Sequence, residues 1–181
     1  PRNKLNSKID IKIQDGRIDT VAEHIDDPSA DEVLDLEGKV VIPGIIDTHV
    51  HLRYHLDPGY KMLAKAGVAT AVDFAGPVED IIRGIGERGS GINVAVLNGI
   101  IRGRNIDKDG SDFEGIRRFI ENSLAAGSYG IKILGGHYPL SAEITERIIE
   151  YCNERETYIA FHVGTKEIVE PFLALKQAVD I

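Results

Sequence analysis

"PGIIDTHVHLR", residues 43–53, sets an aspartate and two histidines at alternate positions of an otherwise apolar run. Asp47, His49 and His51 fall among Ile45, Ile46, Val50 and Leu52. Alternation with a period of two marks a strand, and side chains two apart share a face. Ile45, Asp47, His49, His51 and Arg53 therefore lie on one face, and Ile46, Thr48, Val50 and Leu52 on the other. Polar groups buried on such a face need partners, because leaving them unpaired costs free energy. Two imidazoles on one face of a strand are within reach of one ion, and neutral imidazole is a good ligand for zinc and similar metals. A bare H-x-H also fits a pair of structural or surface histidines, which is the commoner case.

Working outward, four further strand-like runs follow: Val68–Phe74, Ile92–Leu97, Gly130–Leu134 and Tyr158–Val163. Helical periodicity lies between most of them. It is clearest over about 112–126, where Phe113, Ile116, Ile120 and Leu124 recur and Ser111 with Glu114 spells a capping box. Gly127 stands where a C-terminal glycine belongs. A second helix follows Ser141, with Ile144, Ile148, Tyr151 and Cys152 on one face, so Cys152 reads as a core residue. One more helix-like stretch closes the chain after residue 167. Strands alternating with helices imply a parallel sheet with right-handed crossovers. Five such units fit an open doubly wound sheet or part of a (β/α) barrel, and periodicity does not choose between them. Upstream, residues 1–42 read as a small β region. Ile9, Ile11 and Ile13 alternate with polar residues before the tight-turn signal Asp15-Gly16. Val33–Leu36 and Val40–Ile42 flank a turn at residues 37–39.

Composition narrows the partners. With 29 acidic and 21 basic residues among 181, the net charge is −8, which argues against a nucleic-acid surface. A single cysteine excludes an internal disulfide. No apolar run approaches the ~18 residues of a membrane span, and no charged-then-apolar leader opens the chain. The expectation is a cytoplasmic protein with a small-molecule substrate and no nucleic-acid or membrane partner.

The residues around the opening stretch then decide the fold. "VVIPGIIDTHVHLR" resembles the strand-one signature P-G-x-I-D-x-H-x-H of the amidohydrolase superfamily, with Pro43, Gly44, Ile46, Asp47, His49 and His51 matching. "VLDLEGKVV" resembles the segment that leads from that family's small β domain into its barrel. The resemblance implies residues 1–42 as part of a small β-sandwich domain and 43–181 as the N-terminal part of a metal-dependent (β/α)8 TIM barrel, about five β/α units. It also implies one or two divalent ions, zinc above all, and a metal-activated hydroxide that attacks a C–N bond.

The family's ligand positions can be followed along the chain. "YGIKILGG" places Lys132 among apolar neighbours on the fourth barrel strand, where the family often carries a carboxylated lysine bridging two metals. Without the resemblance, Lys132 reads as a lysine that meets a carboxylate or snorkels out. "TYIAFHVGT" places His162 on the fifth strand, otherwise a satisfied core histidine. The resemblance thus assigns the metal to His49, His51, Lys132 and His162. "DTHVHLR" resembles the cyclic-amide branch of dihydroorotases and hydantoinases, in which the arginine matching Arg53 binds a substrate carboxylate. Guanidinium geometry suits that role. The chain departs from dihydroorotases at Tyr54-His55 and at Phe74-Ala75-Gly76, where they carry an acid and a proline, and a turn whose asparagine helps hold substrate. His137 in "GGHYPL" is a further candidate for substrate contact, whereas His55 reads as a loop histidine.

Gly84, Gly86 and Gly89 spell a dinucleotide fingerprint, but after a helical run and not between strand and helix, so it is set aside. "DKDGSD" at 107–112 reads as a solvated turn. The strand-six histidine and strand-eight aspartate that the resemblance implies do not occur after His162. The expectation is an incomplete piece of a protein about twice as long, a homo-oligomer when complete, inactive alone. Rival readings are a deaminase of the same superfamily acting on an amino-heterocycle, and a non-catalytic scaffold relative.

Overall fold

A computed structural model describes residues 6–52 and 56–181, the side chains of residues 56 and 57 excepted. The chain divides into two compact units, Pro1–Ile42 and Pro43–Ile181.

In the first unit, β1 (Asp10–Gln14) and β2 (Arg17–Ala22) form an antiparallel hairpin. Its two-residue loop has φ of 52° at Asp15 and 71° at Gly16. Two positive φ values match the right-handed twist of the flanking strands, which is why Asp-Gly signals such a turn. Lys12 pairs with Asp27 at 2.8 Å. That partner and the Ser29 donors hold the Asp27 carboxyl down at about 2. The strand-like reading of Val33–Leu36 and Val40–Ile42 is corrected. These segments form no ladder among the described residues, although the turn between them closes through a Lys39 N–H to Leu36 C=O bond of 2.8 Å. Val33 is 83% exposed and Val40 86%. An apolar run becomes a strand only where another edge takes its backbone groups.

The second unit is a five-stranded parallel sheet in the order β3-β4-β5-β6-β7. The strands are β3 (Ile45–Val50), β4 (Val68–Asp73), β5 (Asn93–Ile100), β6 (Gly130–Leu134) and β7 (Tyr158–His162). Helices α1 (Leu56–Lys65), α2 (Val78–Arg88), α3 (Phe113–Ala125) and α4 (Ala142–Asn153) connect them, and α5 (Pro171–Asp180) follows β7. Neighbours in sequence are neighbours in the sheet throughout. A doubly wound sheet reverses its strand order at a switch point. This one never reverses and curls into a half-barrel, the expected partial (β/α)8 architecture.

Two layers of side chains follow from the alternation. On the helix side, Ile131 and Ile133 of β6 pack with Ile116 and Ile120 of α3 and Ile144, Ile148 and Cys152 of α4. On the other face, Phe74, Leu97 and Ala160 form a smaller cluster with Val72. Ser141 caps α4 as expected, accepting from the Ile144 N–H. The Ser111–Glu114 box is corrected. The cap of α3 is Asp112, which accepts from the Gly115 N–H at 3.0 Å. Asp107 takes the Ser111 and Asp112 N–H groups at 3.1 Å each, so the chain is still turning at Ser111. Gly84 and Gly86 lie inside α2 with Gly89 as its C-cap, so this glycine pattern cradles no phosphate. No helix among the described residues is long and apolar enough to cross a membrane.

Candidate functional site

The strand period that sends Ile131 and Ile133 to the helices sends Lys132 to the opposite face, with Leu97 of β5 and Ala160 of β7. Near the C-terminal ends of the strands this face carries the candidate residues. His49 is the penultimate residue of β3 and His51 lies one residue past its end. His162 ends β7, and His137 lies three residues beyond β6.

The structure brings five of the six predicted site residues together. His49 and His51 have ring centroids 5.4 Å apart. His137 and His162 form a second pair at 5.2 Å. Beside the first pair stands Phe74, just past β4. Its ring stacks on His49 at 4.0 Å with an interplanar angle of 15°. The Lys132 Nζ lies 4.9 Å from the same ring's centroid. Arg53 and His55 fall outside the described residues.

Lys132 is 5% exposed. The side chain as a whole is therefore buried, and no acceptor or carboxylate meets its ammonium among the described residues. Burial pushes its pKa below the usual lysine value, towards the neutral amine. The imidazole pKa values of His49 and His162 are also lowered. Burial is the main cause for both, followed by the positive field of Lys132. His51 adds to this at His49, and His137 and His49 add to it at His162. These neighbours hinder the charging of His49 and His162, which favours in these two rings the neutral form that a metal takes.

The loop after β6 passes very close to β7. The Gly135 N–H donates to the His162 C=O at 2.9 Å. A Cβ on Gly136 would lie 2.5 Å from His162 Nε2, and one on Gly135 would strike the backbone oxygens of Gly164 and His162. This glycine pair is what lets His137 reach His162.

Sequence reading missed three contributors. Phe74 sits where the chain departs from the dihydroorotase pattern, and the departure lies inside the site. The Gly135-Gly136 pair is the second. Asp73 is the third, a fully buried carboxylate that ends an apolar strand. An acid closing such a run was the available signal.

Among the described residues no three His, Cys, Asp or Glu side chains form a ready metal cage. The donors are two imidazole pairs and a buried amine without an acceptor. That set fits a divalent ion in its chemistry: imidazole nitrogens, two of them (on His49 and His162) held towards the neutral form, beside an amine that burial also holds towards neutrality.

No protein-family profile matches the chain. The dihydroorotase of Sulfurihydrogenibium sp. (strain YO3AOP1) is 42% identical over 74 residues, which cover 40% of this chain and 17% of that protein. The dihydroorotase of Bacillus cereus (strain B4264) is 30% identical over 166 residues, covering 80% of this chain and 38% of that protein. The chain thus spans less than half the length of these curated relatives. The crystal structure of an amidohydrolase superposes with a TM-score of 0.67 at 19% identity, over 97% of this chain and 55% of its own. A. niger ochratoxinase superposes with 0.53 at 15% identity, over 76% and 45%. Both share the fold.

Proposed function

The chain is a relative of the amidohydrolase superfamily, and from that premise we propose that the whole protein is a metal-dependent hydrolase of a C–N bond in a cyclic amide, ureide or N-acyl compound. The observation that carries this reading is the buried Lys132 amine, without an acceptor, flanked by two pairs of imidazoles. A structural scaffold has no physical need to bury such a group.

His49, His51, Lys132 and His162 hold one or two divalent ions, zinc being the first choice for nitrogen ligands. When bound, such an ion polarises the substrate carbonyl and lowers the pKa of water towards ~7. Burial of Lys132 prepares a second step. A neutral amine adds to CO2: its nitrogen lone pair forms the new bond to carbon, one C=O π pair moves onto oxygen, and the nitrogen releases one proton to water. The carbamate that results replaces the amine nitrogen as donor by two oxygens that share one negative charge. Phe74, Leu97 and Ala160 make an apolar floor that limits water beneath the donors. His137, carried over His162 by the glycine pair, offers a ring nitrogen to the substrate, and Arg53 pairs with an anionic or carbonyl group.

Metal analysis of the whole protein, paired with His49→Asn and His162→Asn, tests this. The expected result is at least one equivalent of zinc in the native protein, reduced in either variant. A panel of dihydroorotate, hydantoins and N-acyl amino acids should show ring opening or deacylation. Absence of metal from the native protein overturns the reading, and ammonia release from amino-purines alone moves it to deamination.

A further inference from the structure

We infer that Asp73 is a positioning residue of this site: its carboxylate ties the histidine-bearing end of β3 to the turn that carries Phe74. The inference rests on the proposed reading of the site and adds what holds one half of it in place.

The regular ladder does not hold that half. Pairing between β3 and β4 runs from Asp47–Ala71 to Val50–Asp73 with a register shift in between, and His49 lies within the slip. Just beyond, Asp73 supplies what the ladder lacks. Its Oδ2 accepts from the Leu52 N–H at 2.6 Å, one peptide bond from His51. Its Oδ1 accepts from the Gly76 N–H at 2.9 Å and the Ala75 N–H at 3.2 Å. In the opposite sense, the Phe74 N–H donates to the Val50 C=O at 2.8 Å. Residues 50–52 and 73–76 are therefore laced in both directions, and the Phe74 ring that results lies flat on His49.

The chemistry requires an acid at this position. Three N–H donors converge on one side chain, and an ionised carboxylate is acceptor-only on both oxygens. An asparagine would satisfy one side and turn its NH2 towards a donor on the other. Asp73 is 0% exposed, and no cation pairs with it among the described residues, so it serves backbone groups and no ion pair.

The test compares Asp73→Asn with Ser128→Ala in the whole protein. Ser128 is also buried and also bonds only backbone groups, taking the Asn98 N–H at 3.1 Å and donating to the Val96 or Gly130 C=O, but it precedes β6 and bonds none of residues 50–52 or 73–76. Cobalt(II) affinity, thermal midpoint and the ring-current shift of the His49 protons are measured for each. Asp73→Asn should weaken cobalt binding at least about tenfold, the scale of a lost outer-shell partner, and should abolish the upfield shift that Phe74 gives His49. Ser128→Ala should lower the thermal midpoint yet leave both site readouts in place. Asp73→Asn with native cobalt affinity and an intact His49 shift overturns the inference, as does an equal loss of affinity in Ser128→Ala. If the native protein binds no cobalt, the metal reading falls by itself, and the His49 shift alone decides the role of Asp73. If Asp73→Asn does not fold, Asp73→Ser is read in the same way, since its hydroxyl still accepts within the turn but does not reach Leu52.

Discussion

The two sides of the parallel sheet support their halves of the candidate site by different means. Around β6, the strand that carries Lys132 rests, through its opposite face, on a cluster of ten buried residues drawn from β5, β6, α3, α4 and the loop before α4. Around β3, the corresponding cluster has four, Leu52, Tyr60, Val68 and Ala71, while Ile45 and Ile46 are 48% and 62% exposed. The backbone that presents Lys132 is therefore placed by close packing, which tolerates little movement. His49 and His51 are placed by directional contacts: the Asp73 carboxylate, the Val50–Phe74 backbone bond and one ring stack. A site half-built on packing and half on hydrogen bonds should fail in two distinguishable ways.

The largest expected effect isolates function from packing. Lys132→Met should reduce the activity of the whole protein at least about 100-fold, the scale of a lost electrostatic group in a reacting site. The metal-free thermal midpoint should not fall, because an apolar side chain replaces a buried amine that has no acceptor. A lower midpoint would mean that the amine contributes to the packed side, and would break the comparison there.

Packing itself is tested next. Ile148→Ala, at a position with 0% exposure, should cost about 2–5 kcal/mol in denaturant unfolding. Ile46→Ala on the thin side should stay within about 0.5 kcal/mol. Equal losses would show that β3 is as well packed as β6.

A subtler probe is already in the chain. Burial pushes the Cys152 thiol up to about 11 and leaves it no exposed surface. A disulfide reagent at pH 8 should label it only as fast as the packed side opens, and Ile148→Ala should speed that labelling. Rapid labelling of the native protein would show that α4 leaves the sheet more freely than its burial implies.

The smallest effect is a slope with pH. His49 and His162 have folded pKa values below the ordinary 6.5. Just below pH 6.5 the unfolded chain therefore holds more protons, so the stability of the metal-free protein should rise with pH up to about 6.5 and fall as pH drops. Replacing both histidines by Asn should flatten this slope in thermal midpoints measured from pH 5 to 7. An unchanged slope would assign it to other groups.

Much of this was legible in the residues. The Asp15-Gly16 hairpin, the helical faces of α3 and α4 and the five parallel strands follow from periods of two and 3.6. The resemblance at Pro43–His51 named His49, His51, Lys132 and His162, and the structure brings all four to one end of one sheet face, with His137 beside them. Other features were not legible. Val33–Ile42 looks like strand, but pairing depends on a partner that a local pattern does not contain. The α3 cap moved from Ser111 to Asp112 because Asp107, several residues upstream, claims the Ser111 and Asp112 N–H groups first.

What the sequence alone determined is which residues alternate, where α3 starts and stops to within a residue, and that two imidazoles share a strand face. These are properties of neighbours, set by backbone geometry over a few residues. The tertiary structure decided the unreversed strand order, the Phe74 ring between His49 and Lys132, the passage of Gly135-Gly136 over His162, and the Asp73 bond to Leu52 across 21 residues. Each is a contact between residues far apart in the chain, whose formation depends on the whole sheet closing in one register, and no local periodicity encodes it.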